Sequence, residues 1–451
     1  MLKIKGMKSF FLASVLGVCV TTPVFSETLS VEKFRSEFLN GKLSWAAVEA
    51  RAREEGEVNL FHWGGSESLN SWIDRHVVPA LADKGIKLRT TRLGGTREAV
   101  DLVLTEKQSG RGVGEGSVDA IWLNGDNFYT LSQQNALFGS FANKLPNSVN
   151  FYFDPAVPAA QLNLSDFGTP TLAQEVPWSG EQYVCYFDSS RLARSDAPST
   201  FLELEDWLKE NPGRFTYVKP PHYVGNTFVQ SVLYAFNPNG SGAVDFQKSV
   251  SDFSESSFAE LVKPGFEYLK RIEPFLLGEG SPIYAKNQAA NQALFNNGEV
   301  DIGCEFGLYL VANLRKTGAF SETTETMLFP KNGMIKNKNF IAIPSNAPNP
   351  AAAMVLANVL SSIDLQISKL KEIGYPLGID LGKLSADDQQ RAVEAAPSHH
   401  GVSAQELASN AVPDTNASLV KIIQEIWIEY IERNNEKPFE QIVSDAFAKL
   451  S

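Results

Sequence analysis

The feature that most limits the fold is a unit used three times before residue 135. A β-branched and aromatic run at 58–63 leads into Gly64-Gly65. Ser66 then stands where a helix cap belongs, ahead of Leu69, Trp72, Ile73, His76 and Val77 at helical spacing. The run at 86–93 is followed in the same way by Gly94-Gly95, Thr96 and a helix carrying Ala99, Val100, Val103 and Leu104. A third run, 118–123, ends in Asn124-Gly125-Asp126-Asn127 before another helix. Strands joined through helices must lie parallel, so this half predicts a sheet with crossover helices on its faces.

The stretch 177–192 interrupts the pattern. Its middle, Tyr183-Val184-Cys185-Tyr186-Phe187, is strand-forming, while Pro177, Ser179 and Gly180 open it and Asp188-Ser189-Ser190 close it. Beyond it the alternation restarts. A helix is expected at 201–208, a strand at 214–219, a loop at 220–227 feeding a helix from Phe228, a helix at 286–295 and a strand at 300–306. Strands at 325–330 and 339–343 lead back, a helix opens at Asn349-Pro350, and Ser418 is placed to cap a last long helix to Ile431. The stretch 395–412 reads as loop. A strand that joins two such blocks predicts a hinge. The fold class is α/β with two lobes, each a mixed, mostly parallel sheet flanked by helices. One lobe is expected from 27–182 with 331–395, the other from 183–330, and the helices of 396–451 pack on either.

Three lysines, Lys3, Lys5 and Lys8, precede an apolar run at 10–20 and the cleavage-like Val24-Phe25-Ser26. Residues 1–26 read as a cleaved export signal, since the run is short for a membrane span. Lipidation at Cys19 is disfavoured because Val18 fills a position that wants a small residue. Of the cysteines left, Cys185 and Cys304 read first as small buried hydrophobes; export allows a disulfide, and the spacing leaves the matter open. A formal net charge of −12 sets nucleic acid aside as a partner.

Ligands of open α/β sheets bind outside the carboxyl ends of strands, where helix starts present free N–H groups. The candidate binding residues are therefore Trp63, Gly64, Gly65 and Ser66 in the first loop and Asn124 and Asp126 in the third. Trp178 on the crossover, Tyr223, Gly225, Asn226 and Thr227 before the second-half helix, and Glu305 complete the set. Gly94–Thr96 and Glu305–Gly307 are further strand-end loops. The glycine-rich stretch 110–116 precedes a strand and cannot be a dinucleotide loop. No Walker sequence, nucleophile elbow or zinc-protease motif occurs, and His399-His400 diverge as neighbours must. No catalytic centre, metal site or cofactor is expected.

The chain resembles the periplasmic solute-binding proteins of ABC importers, in the large family-1 (type II) class. The resemblance rests on the signal peptide, His62-Trp63-Gly64-Gly65, the crossover 178–192, Leu-Phe-Asn-Asn-Gly-Glu-Val-Asp at 294–301, Phe329-Pro330-Lys331-Asn332-Gly333, and Ala342-Ile343-Pro344 through Asn349-Pro350. Trp122 to Phe128 looks like the YnjB subfamily, for which thiamine is suggested as cargo. The resemblance implies hinge closure on a small molecule, a periplasmic location, action as a monomer, and an inner-membrane permease with its ATPase as partners. Iron-binding members use two adjacent tyrosines, and no Tyr-Tyr pair occurs here. An exported enzyme or a ligand sensor on the same fold are the alternatives.

The expected cleft residues Trp63, Trp178, Tyr223, Asp126 and Glu305, with Glu67 nearby, combine aromatic faces and acids, and only Arg97 is a well-placed base. Aromatic faces and carboxylates favour a cation, while helix starts favour anions. A cation with an anionic tail, such as a thiamine phosphate, would use both.

Overall fold

The computed structural model describes residues 30–450, apart from 279; the expected signal peptide at 1–26 lies outside the described residues. Among the described residues ten strands are formed: β1 (Glu57–Trp63), β2 (Lys87–Leu93), β3 (Ala120–Leu123), β4 (Ser165–Asp166), β5 (Thr169–Pro170), β6 (Glu175–Asp188), β7 (Ile302–Phe306), β8 (Thr324–Met327), β9 (Met334–Ala342) and β10 (Ala411–Val412). β4 and β5 make a small hairpin of their own, and the other eight share one curled sheet. β2, β1 and β3 are parallel, with Trp63 opposite Leu93 and Leu60 opposite Ala120. β9 then enters antiparallel to β3, pairing Ala342 with Ile121. Parallel pairing is therefore confined to β2, β1 and β3 and to the short β9–β10 pair, and the expected mostly parallel sheet gives way beyond β3 because β6 and β9 run antiparallel to their other neighbours.

β6 is the organising element. From Glu175 to Gln182 it pairs with β9, with a register shift at Trp178. From Tyr183 to Asp188 it pairs with β7 on one side and β8 on the other. The predicted crossover is thus one continuous strand, belonging to different neighbours at its two ends.

Side-chain alternation builds a separate core at each end. Trp122, Val176, Trp178 and Ile341 face one way, against Val48, Ala52 and the apolar Pro350–Leu360 helix. Ile121, Leu123 and Ala342 face the other way, against Val100, Val103 and Phe128. At the far end of β6, Tyr183, Cys185 and Phe187 pack with Phe228, Val232, Phe266, Leu269, Ile423, Ile426 and Trp427. The helices Ala417–Trp427 and Phe439–Leu450 thus join this second core. Each such side chain, fully buried, contributes about 1.5–3 kcal/mol. No single described helix is long and apolar enough to cross a membrane.

Several local expectations are corrected by tertiary contacts. The helix expected from Phe228 begins at Tyr223, capped by His222, whose Nδ1 accepts the Val224 N–H at 3.3 Å. Gly225 allows this early start, since a Cβ there would lie 2.2 Å from the Val218 carbonyl oxygen. Asn416 caps the late helix instead of Ser418 and accepts the Ser418 N–H. The 214–219 run makes only isolated bridges, Phe215 to Ile302 and Val218 to Ala285. The loop-like 395–412 contains the helix Ala404–Ser409 and β10. Cys185 and Cys304, read first as separate thiols, form a disulfide, because the β6–β7 register places them directly opposite.

Candidate functional site

The first wall is the carboxyl edge of β1, β2 and β3. Gly64 donates its N–H to the Leu93 carbonyl at 2.9 Å, and its own carbonyl accepts from the Asn70 amide at 2.9 Å. A Cβ on Gly64 would meet Arg92 Cβ at 2.6 Å, and one on Gly65 would meet the Trp63 ring, so both glycines are required by close packing. Ser66 caps its helix as expected, accepting the Leu69 N–H at 3.3 Å. Thr96 does not cap; its hydroxyl accepts from the Asn127 amide at 3.2 Å, which ties the second loop to the third. In that third loop the Asn124 carbonyl accepts the Asn127 N–H, and Gly125 donates to Asp166 Oδ2 at 2.6 Å. Asp126 is half-buried at the start of the Asp126–Gln133 helix. Burial pushes its carboxyl up, against the pull of Arg97 and Lys421.

The second wall is the start of the Tyr223–Ala235 helix. Tyr223 is 46% exposed, donates its hydroxyl to Gln288 Oε1 at 2.7 Å, and lies with its ring 6.1 Å from that of Phe306. Gly225 sits against the Val218–Pro220 backbone. Thr227 is buried and donates to the Tyr223 carbonyl at 3.0 Å. Asn226 is buried too; its amide donates to the Pro221 carbonyl while its Oδ1 has no partner.

Between the walls runs the middle of β6. Trp63 meets Trp122 edge-on at 6.2 Å, Trp122 meets Trp178 at 4.8 Å, and Trp178 stacks on Tyr375 at 5.9 Å. The buried Lys369 ammonium lies 4.5 Å from the Trp178 ring centre and donates to the Trp178 carbonyl at 2.5 Å. Beyond the bulge, half-buried Glu181 accepts the Leu308 N–H at 3.0 Å. Burial pushes the Glu181 carboxyl up to about 7, although Leu308 and Lys369 pull against it. Its charge is felt by Tyr223, Tyr309 and Tyr375.

Of the residues singled out in the sequence, Trp63, Gly64, Gly65, Ser66, Asn124 and Asp126 share the first wall. Tyr223, Gly225, Asn226 and Thr227 share the second. Trp178 is joined to Trp63 through Trp122, but is itself 2% exposed and supports the surface from below. Glu305 is buried, and its charge acts on Tyr223 of the second wall. It is 2% exposed, accepts from the Tyr186 hydroxyl at 3.1 Å and the Gln292 amide at 2.9 Å, and is pushed up to about 7 by burial. Residues missed were Glu181, Lys369 and Tyr375. An acid inside an apolar strand was a readable signal for Glu181; Lys369 and Tyr375 offered none.

One strand shared between two sets of neighbours, a core at each end and strand-end loops around its middle define a two-lobed α/β binding fold. The same arrangement occurs in solved structures of low sequence identity. These include a solute-binding protein of Thermotoga lettingae bound with alpha-D-tagatose (TM-score 0.62, 14% identity, 87% of this chain and 98% of that one). An ABC transporter protein of Clostridium perfringens has a TM-score of 0.56 at 12% identity, over 83% of this chain and 99% of that one. A substrate-binding protein of Bradyrhizobium japonicum has a TM-score of 0.54 at 15% identity, over 88% and 99%. In sequence, residues 78–380 match the family of bacterial extracellular solute-binding proteins. Protein YnjB of Escherichia coli K12 is 31% identical over 354 residues, covering 78% of this chain and 86% of its own. The chain belongs to the bacterial extracellular solute-binding protein family.

Proposed function

We propose that this chain is the periplasmic capture component of an ABC importer. It would act as a monomer, close two lobes on a small molecule and deliver it to a membrane permease driven by an ATPase. The observation that carries the reading is β6, whose two halves pair with different strands and carry separate cores. Rotation about such a strand changes the gap between the walls without disturbing either core. The first lobe would hold β1 to β3 with the Pro350–Leu360 helix, and the second β7, β8 and the C-terminal helices. Cargo would occupy the space around Trp63, Asp126, Glu181, Tyr223, Phe306 and Tyr375.

The same residues favour an organic cation, thiamine or a thiamine phosphate among them. Accessible ring faces attract a cation by roughly 0.5–2 kcal/mol each, and Asp126 and Glu181 are half-buried acids beside them. The test is native mass spectrometry of the protein taken from its own periplasm, followed by tryptophan fluorescence and small-angle scattering with the molecule recovered. Binding should compact the protein and change the emission of Trp63 and Trp178. Binding without compaction would exclude hinge closure. Micromolar affinity for a neutral sugar, roughly −8 kcal/mol, without any for thiamine or its phosphates would exclude thiamine-like cargo.

A further inference from the structure

Two buried lysines, Lys369 and Lys338, tie the middle of β6 and β9 to the first core. The Trp178 carbonyl, at the register shift of β6, accepts from Lys369 Nζ at 2.5 Å and from Gln366 Nε2 at 2.9 Å, both on the Ile363–Ile373 helix. Gln366 Oε1 in turn accepts the Gly378 N–H at 2.8 Å. A Cβ on Gly378 would lie 2.3 Å from the Trp178 carbonyl carbon, so the chain after that helix rests directly on the bulge. Helix and following chain pack on the first core through Leu365, Ile373, Leu377 and Ile379. Lys338 stands opposite Gly180 in the β6–β9 register. Its ammonium donates to Asn163 Oδ1 at 2.6 Å, the Gly378 carbonyl at 2.8 Å and Asp380 Oδ1 at 2.7 Å.

One residue further along β6 the partners change. Glu181 Oε2 accepts the Leu308 N–H at 3.0 Å, the Gln182 carbonyl accepts the Gly307 N–H at 3.1 Å, and Gln182 Nε2 donates to the Leu407 carbonyl at 2.8 Å. Leu308 and Leu407 pack with Val184 and Met334, away from the first core. On β9 the change falls between Ile335 and Lys338. The Met334 N–H donates to the Asn410 carbonyl at 3.1 Å, and Ile335, a member of the second core, pairs with Val412 of β10. In the ladder Gly180 faces Lys338 and Glu181 faces Asn337. The change of partners therefore falls at one level on both strands.

The two sides of that level differ in stiffness. An ammonium carries three N–H donors, and Lys338 directs all of them at oxygens of the first-core side. Charge-assisted bonds are stronger than neutral ones, and here they are shielded from water, so Trp178 to Gly180 is pinned. Gly180 has no side chain to resist a change of φ and ψ, and the bulge just before it bends the strand and raises its twist. A turn between rigid bodies is absorbed by a few such residues. Lys369 also attracts Glu181 from the other side of the level, so charge as well as backbone links the two.

We infer that the lobes turn about a line through Gly180–Glu181 on β6 and Asn337–Lys338 on β9, and that Lys338 and Lys369 are positioning residues that fix its first-lobe side. The inference rests on the solute-capture reading and deepens it, by locating the turn and naming what holds it. Residual dipolar couplings of the backbone amides test it, on protein stripped of bound solute by partial unfolding and dialysis. Amides of 175–180 and 338–342 should fit the alignment tensor of the first core, and those of 181–188 and 334–337 the tensor of the second. Lys338→Met and Lys369→Met should each move the break on β6 toward Glu175 and widen the difference between the two tensors' magnitudes. Lys371→Met, exposed on the same helix as Lys369, should do neither. A lysine that only stabilises the fold would lower the melting temperature and leave both tensors alone, which overturns the positioning role. A break outside 179–182, or one tensor for both lobes, overturns the line itself. If one variant fails to fold, the other decides, and the unsubstituted protein alone fixes where the break lies. A break elsewhere on β6 leaves the capture reading standing; that reading fails separately, if no molecule recovered from the periplasm compacts the protein.

Discussion

Cys185 and Cys304 face each other across β6 and β7, Cα atoms 4.0 Å apart, and their disulfide ties the crossover strand to its neighbour. It closes a loop with a sequence separation of 119 residues, which holds the Tyr223–Ala235 helix and most of the second core. Disulfides typically contribute about 2–4 kcal/mol, and the chain entropy of a loop this long raises the expectation to about 5 kcal/mol. Replacing both cysteines by serine should lower the urea midpoint by a corresponding amount. A midpoint unchanged by either the double replacement or reductant would show that the bond adds nothing to stability.

Gly225 offers a sharper packing test. Its Cα approaches the backbone of Val218 to Pro220 so closely that Gly225→Ala must push the helix start away. Overpacking of this kind costs about 1–3 kcal/mol. The variant should melt lower, and the displaced Tyr223 should weaken capture of whatever molecule the native protein carries. Calorimetry and a thermal melt on the same sample separate the two effects.

Lys369 is held by the Trp178 carbonyl and ring and stands 5.5 Å from the Tyr375 ring centre. Lys369→Met keeps volume but removes the charge from the ring faces and the attraction to Glu181. Tryptophan emission should change without ligand. The Glu181 carboxyl, deprived of a nearby cation, should titrate higher still, which a carboxyl-carbon NMR titration would read.

Stability should fall as pH rises from about 4 toward neutrality. Burial pushes Glu181, Glu305 and Asp414 up to about 7. Each therefore binds its proton more tightly folded than unfolded. Their contribution is complete below about 4, the ordinary carboxylate range, and is lost progressively as pH rises to about 7. Asp188 works in the opposite sense. Burial raises its carboxyl, but hydrogen bonds from Thr323, Ser190 and Ser321 outweigh that and hold it at about 2, so its contribution is lost as pH falls below about 4. Melting temperature should peak in mildly acid solution and decline toward pH 8. Glu305→Gln keeps an acceptor for the Tyr186 hydroxyl and should flatten the decline. Each tenfold difference in proton affinity between the folded and unfolded chain corresponds to about 1.4 kcal/mol. A melting temperature that rises from pH 5 to pH 8 would contradict this assignment.

What could be read in advance was local and periodic. The three strand–turn–helix units, the crossover strand and the Asn349-Pro350 helix start follow from side-chain period and turn chemistry, which neighbours along the chain determine. Trp63 to Ser66 and Asn124 to Asp126 followed from the same rule, because the ends of parallel strands gather at one edge. Contacts between distant segments decided the rest. The start of the helix at Tyr223 depends on how closely Gly225 approaches Val218, and Asn416 displaced Ser418 as a cap for reasons of chain path. The β6–β7 register brought Cys185 onto Cys304 and turned Glu305 toward Tyr186 and Gln292. Lys369 and Tyr375 reach Trp178 from nearly two hundred residues away. Burial, pairing and charge at these positions are properties of assembled surfaces, so no pattern along the chain encodes them; only the tertiary structure does.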